Sequence, residues 1–272
     1  MVSPPLSDKV LVVIGGTTGL GLSAARAFLA AGARGVVVTG RDAANAALAA
    51  STLGPACVAC PGDAREPAHA EEAIALARKN FGDFHGLYHV AGGSGRRMGD
   101  GPLHEMTDDG LRATLELNLH SVMLSNRAAV RQFLAQKTGG AILNLGSVLG
   151  WSPSPEYFST HAYAAAKAAM IGFTRATAAY YAKHDIRINV LAPALVETPM
   201  ARRAAADATI LKFIATKQPL DGGRIGRSED CDGAAVFFLS DAARYVTGQM
   251  LAVDGGWTVS EGQIPPSPSP VN

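Results

Sequence analysis

Cysteine is scarce in this sequence, with three residues at 57, 60 and 231. Cys57 and Cys60 form a C-x-x-C pair, a spacing that can serve metal or redox chemistry. No second pair is present to complete a tetrahedral zinc site. The pair also falls in a run, Ala56 to Ala59, that reads as a strand, where positions three apart face opposite sides. Structural thiols and no metal site are therefore expected. An excess of charge is missing too: 24 Lys and Arg stand against 23 Asp and Glu, a formal net charge of +1. Such a balance gives no overall field to draw in nucleic acid or an anionic membrane. No uninterrupted apolar run approaches the length of about 18 residues that a membrane span needs. The first residues, Met1 to Lys9, hold two prolines and no apolar core, unlike a secretory signal, so a cytoplasmic location is expected.

What is present is the composition of a packed protein: 48% hydrophobic and 17% charged residues over 272 positions. That is enough chain for one large α/β domain with a sizeable core. Apolar runs read as strands at Val10–Ile14, Gly35–Thr39, Ala56–Ala59, Leu87–Val90, Ala141–Leu145, Ile186–Leu191 and Met250–Val253. Helical patterns fall between them, at Leu20–Ala31, Pro67–Asn80, Leu111–Gln136, Ala162–Lys183 and Ser228–Leu239. The Ala-rich tract at Ala43–Ala50 is a good helix former. Nearly continuous apolar strands alternating with helices predict a Rossmann-type, doubly wound α/β fold. Its sheet is mostly parallel, of about seven strands, with helices on both faces. No repeat or linker divides the chain, so a single domain over 1–272 is expected, with its core at about 8–258. Residues 1–7 and the proline-rich tail at 262–272 are expected to lack fixed structure.

Chemistry enters after the first strand, in Gly15-Gly16-Thr17-Thr18-Gly19-Leu20-Gly21. Glycines at 15, 19 and 21 suit a tight turn, close backbone approach to a pyrophosphate, and tight helix-on-strand packing. The helix that follows points its first N–H groups at phosphate. A glycine cluster alone is weak evidence, and its place between first strand and first helix strengthens it. A carboxylate ending the second strand would bind the ribose 2′-hydroxyl of NAD. Here Gly40 holds that position, and Arg41 follows with a planar cation suited to the 2′-phosphate of NADP. NADP is favoured, with NAD possible. Asp42 can cap the next helix. Asp63, after the third strand, is a candidate for the adenine amine or, equally, a helix-entry cap.

A second group gathers around Tyr163 and Lys167. Four apart on a helix, they share a face. An unperturbed tyrosine titrates near about 10, and a neighbouring ammonium favours its phenolate. Ser147 follows the fifth strand, at the carboxyl end where open α/β sheets bind ligands. Asn118 interrupts an apolar helical pattern (Leu115, Leu117, Leu119), where an amide is a poor helix former and asks for a reason.

Together these residues closely resemble the short-chain dehydrogenase/reductase family over about residues 8–258. The landmarks are the glycine turn, Asp63, Ala91–Gly92, Asn118, Ser147, the Tyr163/Lys167 pair, the run Asn189–Thr198 and Val253-Asp254-Gly255-Gly256. The resemblance implies an NAD(P)-dependent enzyme that interconverts a secondary alcohol and a ketone. Tyr163 would be its general acid and base, with Lys167 on the nicotinamide ribose lowering the tyrosine pKa. Ser147 would polarise the substrate carbonyl, and Asn118 would hold a water linking Lys167 to solvent. Val196 and Thr198 would contact the carboxamide. Gly15, Thr17, Thr18, Gly19, Leu20, Gly21, Arg41, Asp63, Ala64, Ala91, Gly92 and Pro193 would complete the cofactor site, together with Tyr163 and Lys167. A homo-oligomer, tetramer or dimer, is implied through the helices at 111–136 and 162–183 and the last strand. The chain departs from the family at Ile14, at His89–Val90 where Asn–Asn is usual, at Gly146 and at Ala194. His89–Val90 puts the local hydrogen bonding in question.

Three segments are expected around the substrate: 93–103, 149–162 and 194–223, read as mobile. Trp151, Tyr157 and Phe158 are aromatic candidates. His161 and the pairs Arg96–Arg97 and Arg202–Arg203 read first as surface residues. A silent dinucleotide-binding protein would show damage at Tyr163, Lys167 or Ser147, and none is present. A sugar-nucleotide epimerase would need another glycine spacing and a longer substrate domain.

Overall fold

A computed structural model describes residues 3–263. Its sheet has seven strands: β1 (Val10–Ile14), β2 (Gly35–Gly40), β3 (Cys57–Pro61), β4 (Gly86–His89), β5 (Gly140–Leu145), β6 (Ile186–Pro193) and β7 (Met250–Val253). They lie in the order β3-β2-β1-β4-β5-β6-β7, and every pairing is parallel. Strand order reverses between β1 and β4, which opens a crevice at their carboxyl ends.

The helices are α1 (Gly19–Ala30), α2 (Ala43–Leu53), α3 (His69–Phe81), α4 (Asp108–Leu115), α5 (Ser121–Gln136), α6 (His161–Tyr181), α7 (Arg202–Ala205), α8 (Ala208–Lys217) and α9 (Asp232–Leu239). Alternation along the continuously apolar strands sorts the core into two layers. Leu11, Val13, Val36 and Val38 pack with Phe28 of α1 and Phe238 of α9 on one face. Val10, Val12, Ile14 and Val37 pack with Ile74 of α3 and Phe133 of α5 on the other. Each fully buried Val or Ile contributes about 1.5–3 kcal/mol by leaving water. Cys57 joins the first layer and Cys60 packs against the second, as opposite faces of one strand require. Burial pushes the Cys57 thiol up to about 11, so it is inert at neutral pH.

Most boundaries shift by a residue or a few from the sequence reading, and three larger departures have identifiable causes. Helix α3 starts at His69, because residues after Asp63 first make a turn closed by Glu66 N–H on Asp63 O and His69 N–H on Glu66 O. The pattern read from Leu111 begins at Asp108, where Thr107 Oγ1 caps the helix by accepting from Gly110 N–H at 3.0 Å. It then passes through a π-turn at Glu116–His120. Helix α8 lies inside the segment read as a mobile mouth, started by Asp207, which accepts from the N–H groups of Thr209 and Ile210. Nor is residue 6 loose: Leu6 is fully buried, and its N–H donates to Ala31 O. At the other end Gln263 N–H donates to Thr216 Oγ1, and the rest of the proline-rich tail lies outside the described residues. Among the described residues no helix is long and apolar enough to cross a membrane.

Candidate active site

Parallel strands bring all their carboxyl ends to one edge, and the predicted site residues collect there. The first turn is built as tightly as its glycines suggest. Gly15 and Gly19 take positive φ (87° and 51°). A Cβ on Gly21 would strike the carbonyl of Gly15, so the helix start folds directly back on the turn. The turn is tied to β2 through Gly16 N–H on Thr39 O, 2.8 Å. It abuts Ala91, whose N–H donates to Ile14 O at 2.9 Å. Thr198 packs across from Gly19. Thr18, the N-cap of α1, makes no side-chain bond to the helix's first turn. The result is a cradle of backbone between Gly15, Gly19 and Thr198, with a helix N-terminus aimed at it, which fits a pyrophosphate. Leu20 and Ala64 instead pack partly into the two core layers. Pro193 ends β6, and buried Val196 bridges to Gly226.

Gly40 is fixed by contact. A Cβ there would meet the side chain of Thr17, so no carboxylate fits where NAD-specific sites carry one. Arg41 beside it is exposed. Asp42 caps α2, accepting from Asn45 N–H at 2.8 Å. Asp63 caps no helix; its carboxylate accepts from the backbone and guanidinium of Arg65, the shortest bond being 2.6 Å. That hydrogen bonding holds the Asp63 carboxyl down at about 2, and Arg41's charge helps. Arg65 is therefore a member of this corner that the sequence reading missed. The only signal was its position two residues after Asp63, where one side chain can fold back on the other.

His89 answers the question raised by its departure from the family pattern. It is 1% exposed, with Nδ1 2.7 Å from Ser125 Oγ and Nε2 3.2 Å from Ala91 O and 3.3 Å from Ser121 Oγ. An Nε2–H tautomer satisfies all three: it donates to Ala91 O and Ser121, while Ser125 donates to Nδ1. Burial, with Lys167's charge adding to it, holds the ring neutral down to about pH 3. His89 thus anchors the Ala91 carbonyl from beneath.

The amide of Asn118 sits in the π-turn, fully buried. Its Oδ1 accepts from Gly93 N–H (3.0 Å), and its Nδ2 donates to Gly93 O and Thr114 O (both 2.9 Å). Both amide donors are spent on holding the loop after Gly92. Ser147 follows β5 by two residues, is 7% exposed and accepts from Leu149 N–H at 3.2 Å. Tyr163 lies in the first turn of α6, half-buried, with its phenol on the same side as Ser147, which favours its ionised form. Lys167 is 4% exposed; its Nζ donates to Leu145 O at 2.6 Å and lies 5.6 Å from the centre of the Tyr163 ring. Burial alone pushes this ammonium down to about 8. Burial likewise raises the Tyr163 phenol, against the opposing pull of the nearby Ser147 hydroxyl. In this state the lysine sits under the ring face, and desolvation outweighs the lowering expected from its charge. The phenol is held protonated, as a donor.

Next in sequence to Ser147 and Val196, an apolar group gathers: Val148, Tyr157, Phe158, Leu195, Phe213 and Trp257 form one cluster. Trp257 meets Phe158 and Phe213 edge-on, and its Nε1 donates to Ser152 O at 3.2 Å. Two grooves lie elsewhere, between α3 and α5 and at the amino ends of the strands. Neither contains a candidate residue, so the side chains locate the site better than concavity does.

A backbone cradle at a helix N-terminus, a half-buried tyrosine over a buried lysine, and a serine gather at the carboxyl edge of a parallel sheet. The chain belongs to the short-chain dehydrogenase/reductase family. A family model described as Enoyl-(Acyl carrier protein) reductase matches residues 15–258. A 2,5-dichloro-2,5-cyclohexadiene-1,4-diol dehydrogenase of Sphingobium indicum is 34% identical over 93% of this chain and 98% of its own. A cis-4-hydroxycyclohexanecarboxylate dehydrogenase of Sinomonas cyclohexanicum is 33% identical over 93% and 97%. Among solved structures, a short-chain type dehydrogenase/reductase from Mycobacterium ulcerans superposes with TM-score 0.86, at 29% identity, covering 94% of this chain and 92% of that one. The protein is an NAD(P)-dependent oxidoreductase acting between a secondary alcohol and a ketone.

Proposed function

We propose that the protein is an NADP(H)-preferring dehydrogenase/reductase of ring-borne secondary alcohols, with Ser147, Tyr163 and Lys167 as its catalytic group. The carrying observation is the Tyr163 phenol, half-buried, held protonated by burial, and placed beside Ser147 and over the buried Lys167 ammonium. Two hydroxyls on one side of a cleft suit a single carbonyl oxygen, where charge develops in reduction. Ser147 donates to that oxygen and Tyr163 passes it the phenolic proton. Lys167, confined by Leu145 O, keeps a cation beneath the phenolate that is left. In oxidation the same phenolate takes the proton back. When bound, NADP(H) supplies or accepts the hydride.

Its 2′-phosphate is proposed to meet Arg41, since Thr17 fills the place of an NAD-type carboxylate over Gly40. Asp63, Ala64, Ala91 and Gly92 are proposed along the adenosine half, and Pro193, Val196 and Thr198 along the nicotinamide half. Asn118 is proposed as a support, because its amide is already spent on Gly93 and Thr114. Support for a ring-borne alcohol comes from the aromatic cluster and from the alicyclic diol and hydroxycyclohexane named for relatives. A cytoplasmic homo-oligomer joined through α5, α6 and β7 belongs to the same proposal. Met123, Leu134, Tyr180 and Leu251 expose apolar surface there.

The test is a panel of cyclohexanols and cyclohexanones, read as absorbance of reduced cofactor with NADPH and NADH in parallel. Turnover with NADPH is expected to lead. Tyr163→Phe should cut kcat by about 10²–10⁴, the usual worth of a positioned acid–base, and leave NADPH binding intact. Near-normal turnover in that variant overturns the assignment.

A further inference from the structure

The first turn of α6 carries Tyr163, yet its own N-cap does not hold it. Thr160 makes no side-chain bond to the helix. A helix begins with four N–H groups that lack intrahelical partners, and buried ones need acceptors. Here Ala164 N–H turns back on Thr160 O, while His161 N–H donates to Gly101 O at 3.3 Å. The two between them, Ala162 and Tyr163, both donate to one carboxylate. Asp100 Oδ1 accepts from Ala162 N–H at 3.0 Å and Oδ2 from Tyr163 N–H at 2.9 Å. Asp100 is 4% exposed and forms no ion pair among the described residues. A buried carboxylate spanning two N–H groups at the positive end of a helix is well matched in charge and geometry.

The residue comes from the loop after β4, more than sixty positions earlier in the chain. That loop is itself braced. Asp100 N–H and Met98 N–H both donate to Gly95 O, and Thr107 N–H donates to Gly99 O. Its start is held by Asn118 through Gly93. The chain from Gly92 to Gly101 is thus bolted at one end to the π-turn and at the other to the helix that carries the phenol.

We propose that Asp100 is a positioning residue for Tyr163: its two-pronged cap sets the height and rotation of the first turn of α6, and so the reach of the phenol to Ser147 and substrate. The inference rests on the catalytic reading of Tyr163. Reaction rates fall by about 10²-fold for misplacements of about 1 Å, so a loosened first turn is costly to chemistry while the distant glycine turn is untouched.

Asp100→Asn keeps the shape but turns an NH₂ toward one of the two N–H donors. In Asp100→Asn, kcat with NADPH and the best cyclohexanone of the panel is expected to fall by about 10- to 100-fold. NADPH affinity, read by fluorescence titration, should stay unchanged. Amide hydrogen exchange at 162–163 should accelerate. In the Tyr163→Phe background the same substitution should cost nothing further, because the group it positions is gone. Should Asp100→Asn not fold, Asp100→Ser retains one acceptor without crowding and is expected to show the same split. Faster exchange at 162–163 with wild-type kcat overturns the inference, and so does a further loss in the Tyr163→Phe background. Near-normal turnover in Tyr163→Phe by itself overturns the catalytic reading beneath it, a result visible before Asp100 is touched.

Discussion

Lys167 is expected to be a residue that the fold would be more stable without. Its ammonium is buried, bonded among the described residues only to Leu145 O, and displaced from 10.5 to about 8 by burial. At about 1.4 kcal/mol for each pH unit, holding the cation in the core costs about 3 kcal/mol. Replacing it by Met, of similar length, removes that cost but leaves the Leu145 carbonyl without its donor, a loss of about 1–2 kcal/mol. Lys167→Met should therefore gain about 1–2 kcal/mol at pH 7, a rise in Tm of about 2–8 °C, while turnover is lost. The sign of the pH dependence is a second check. The folded state releases this proton near 8 and the unfolded state near 10.5, so between those values the unfolded state binds more protons. Wild-type stability thus climbs with pH across that window, and the advantage of the variant shrinks from pH 8 toward 10. Calorimetric scans of both proteins at pH 7 and pH 9.5 make the comparison. A lower Tm for Lys167→Met at pH 7, or a gap that widens with pH, refutes the reasoning.

Two further outcomes are expected. Arg41→Ala should weaken NADPH binding by about tenfold and leave NADH binding unchanged, with the difference narrowing at high salt because the side chain is exposed. Parallel titrations check it, and equal weakening of both cofactors rules out a 2′-phosphate contact. Asp232 accepts from Ser23 Oγ at 2.7 Å, but its other oxygen is buried with no partner among the described residues, and burial lifts its carboxyl to about 6. Its ionisation is therefore opposed by the fold, and wild-type stability drops as pH rises from about 4 through 6. Asp232→Asn should be more stable by about 1 kcal/mol at pH 7, discounted for partial exposure, with no gain at pH 4. A gain of the same size at both values counts against burial as the cause.

Much of the site was legible because its chemistry is carried by local patterns. The glycine turn needs three glycines within seven positions, and Tyr163 and Lys167 share a helix face by spacing alone. Asn118 stood out as an amide in an apolar helix, and its reason is a π-turn that faces it toward Gly93. Arg65, His89 and Asp100 were harder. Asp100 reads as one more loop carboxylate until the fold places it beneath a helix that begins at His161. His89 reads as a departure until Ser121 and Ser125 of the neighbouring helix close around it. Helix α8 was hidden because its segment resembled a loop, and its order comes from packing Ile210, Phe213 and Ile214 against Trp257.

By itself the sequence determined the class of fold and the kind of reaction. Alternating apolar runs and helices admit few layered arrangements, and phosphate and proton chemistry each demand particular residues at short spacing. The electrostatics were left to the tertiary structure. Whether Lys167 lowers a phenol or is itself strained by burial depends on how much water the fold removes. Whether position 40 can take a carboxylate depends on where Thr17 lies. What caps the first turn of α6 depends on Asp100, brought to it by a loop more than sixty positions earlier in the chain. Desolvation and long-range contact are properties of three-dimensional packing, and a linear pattern does not contain them.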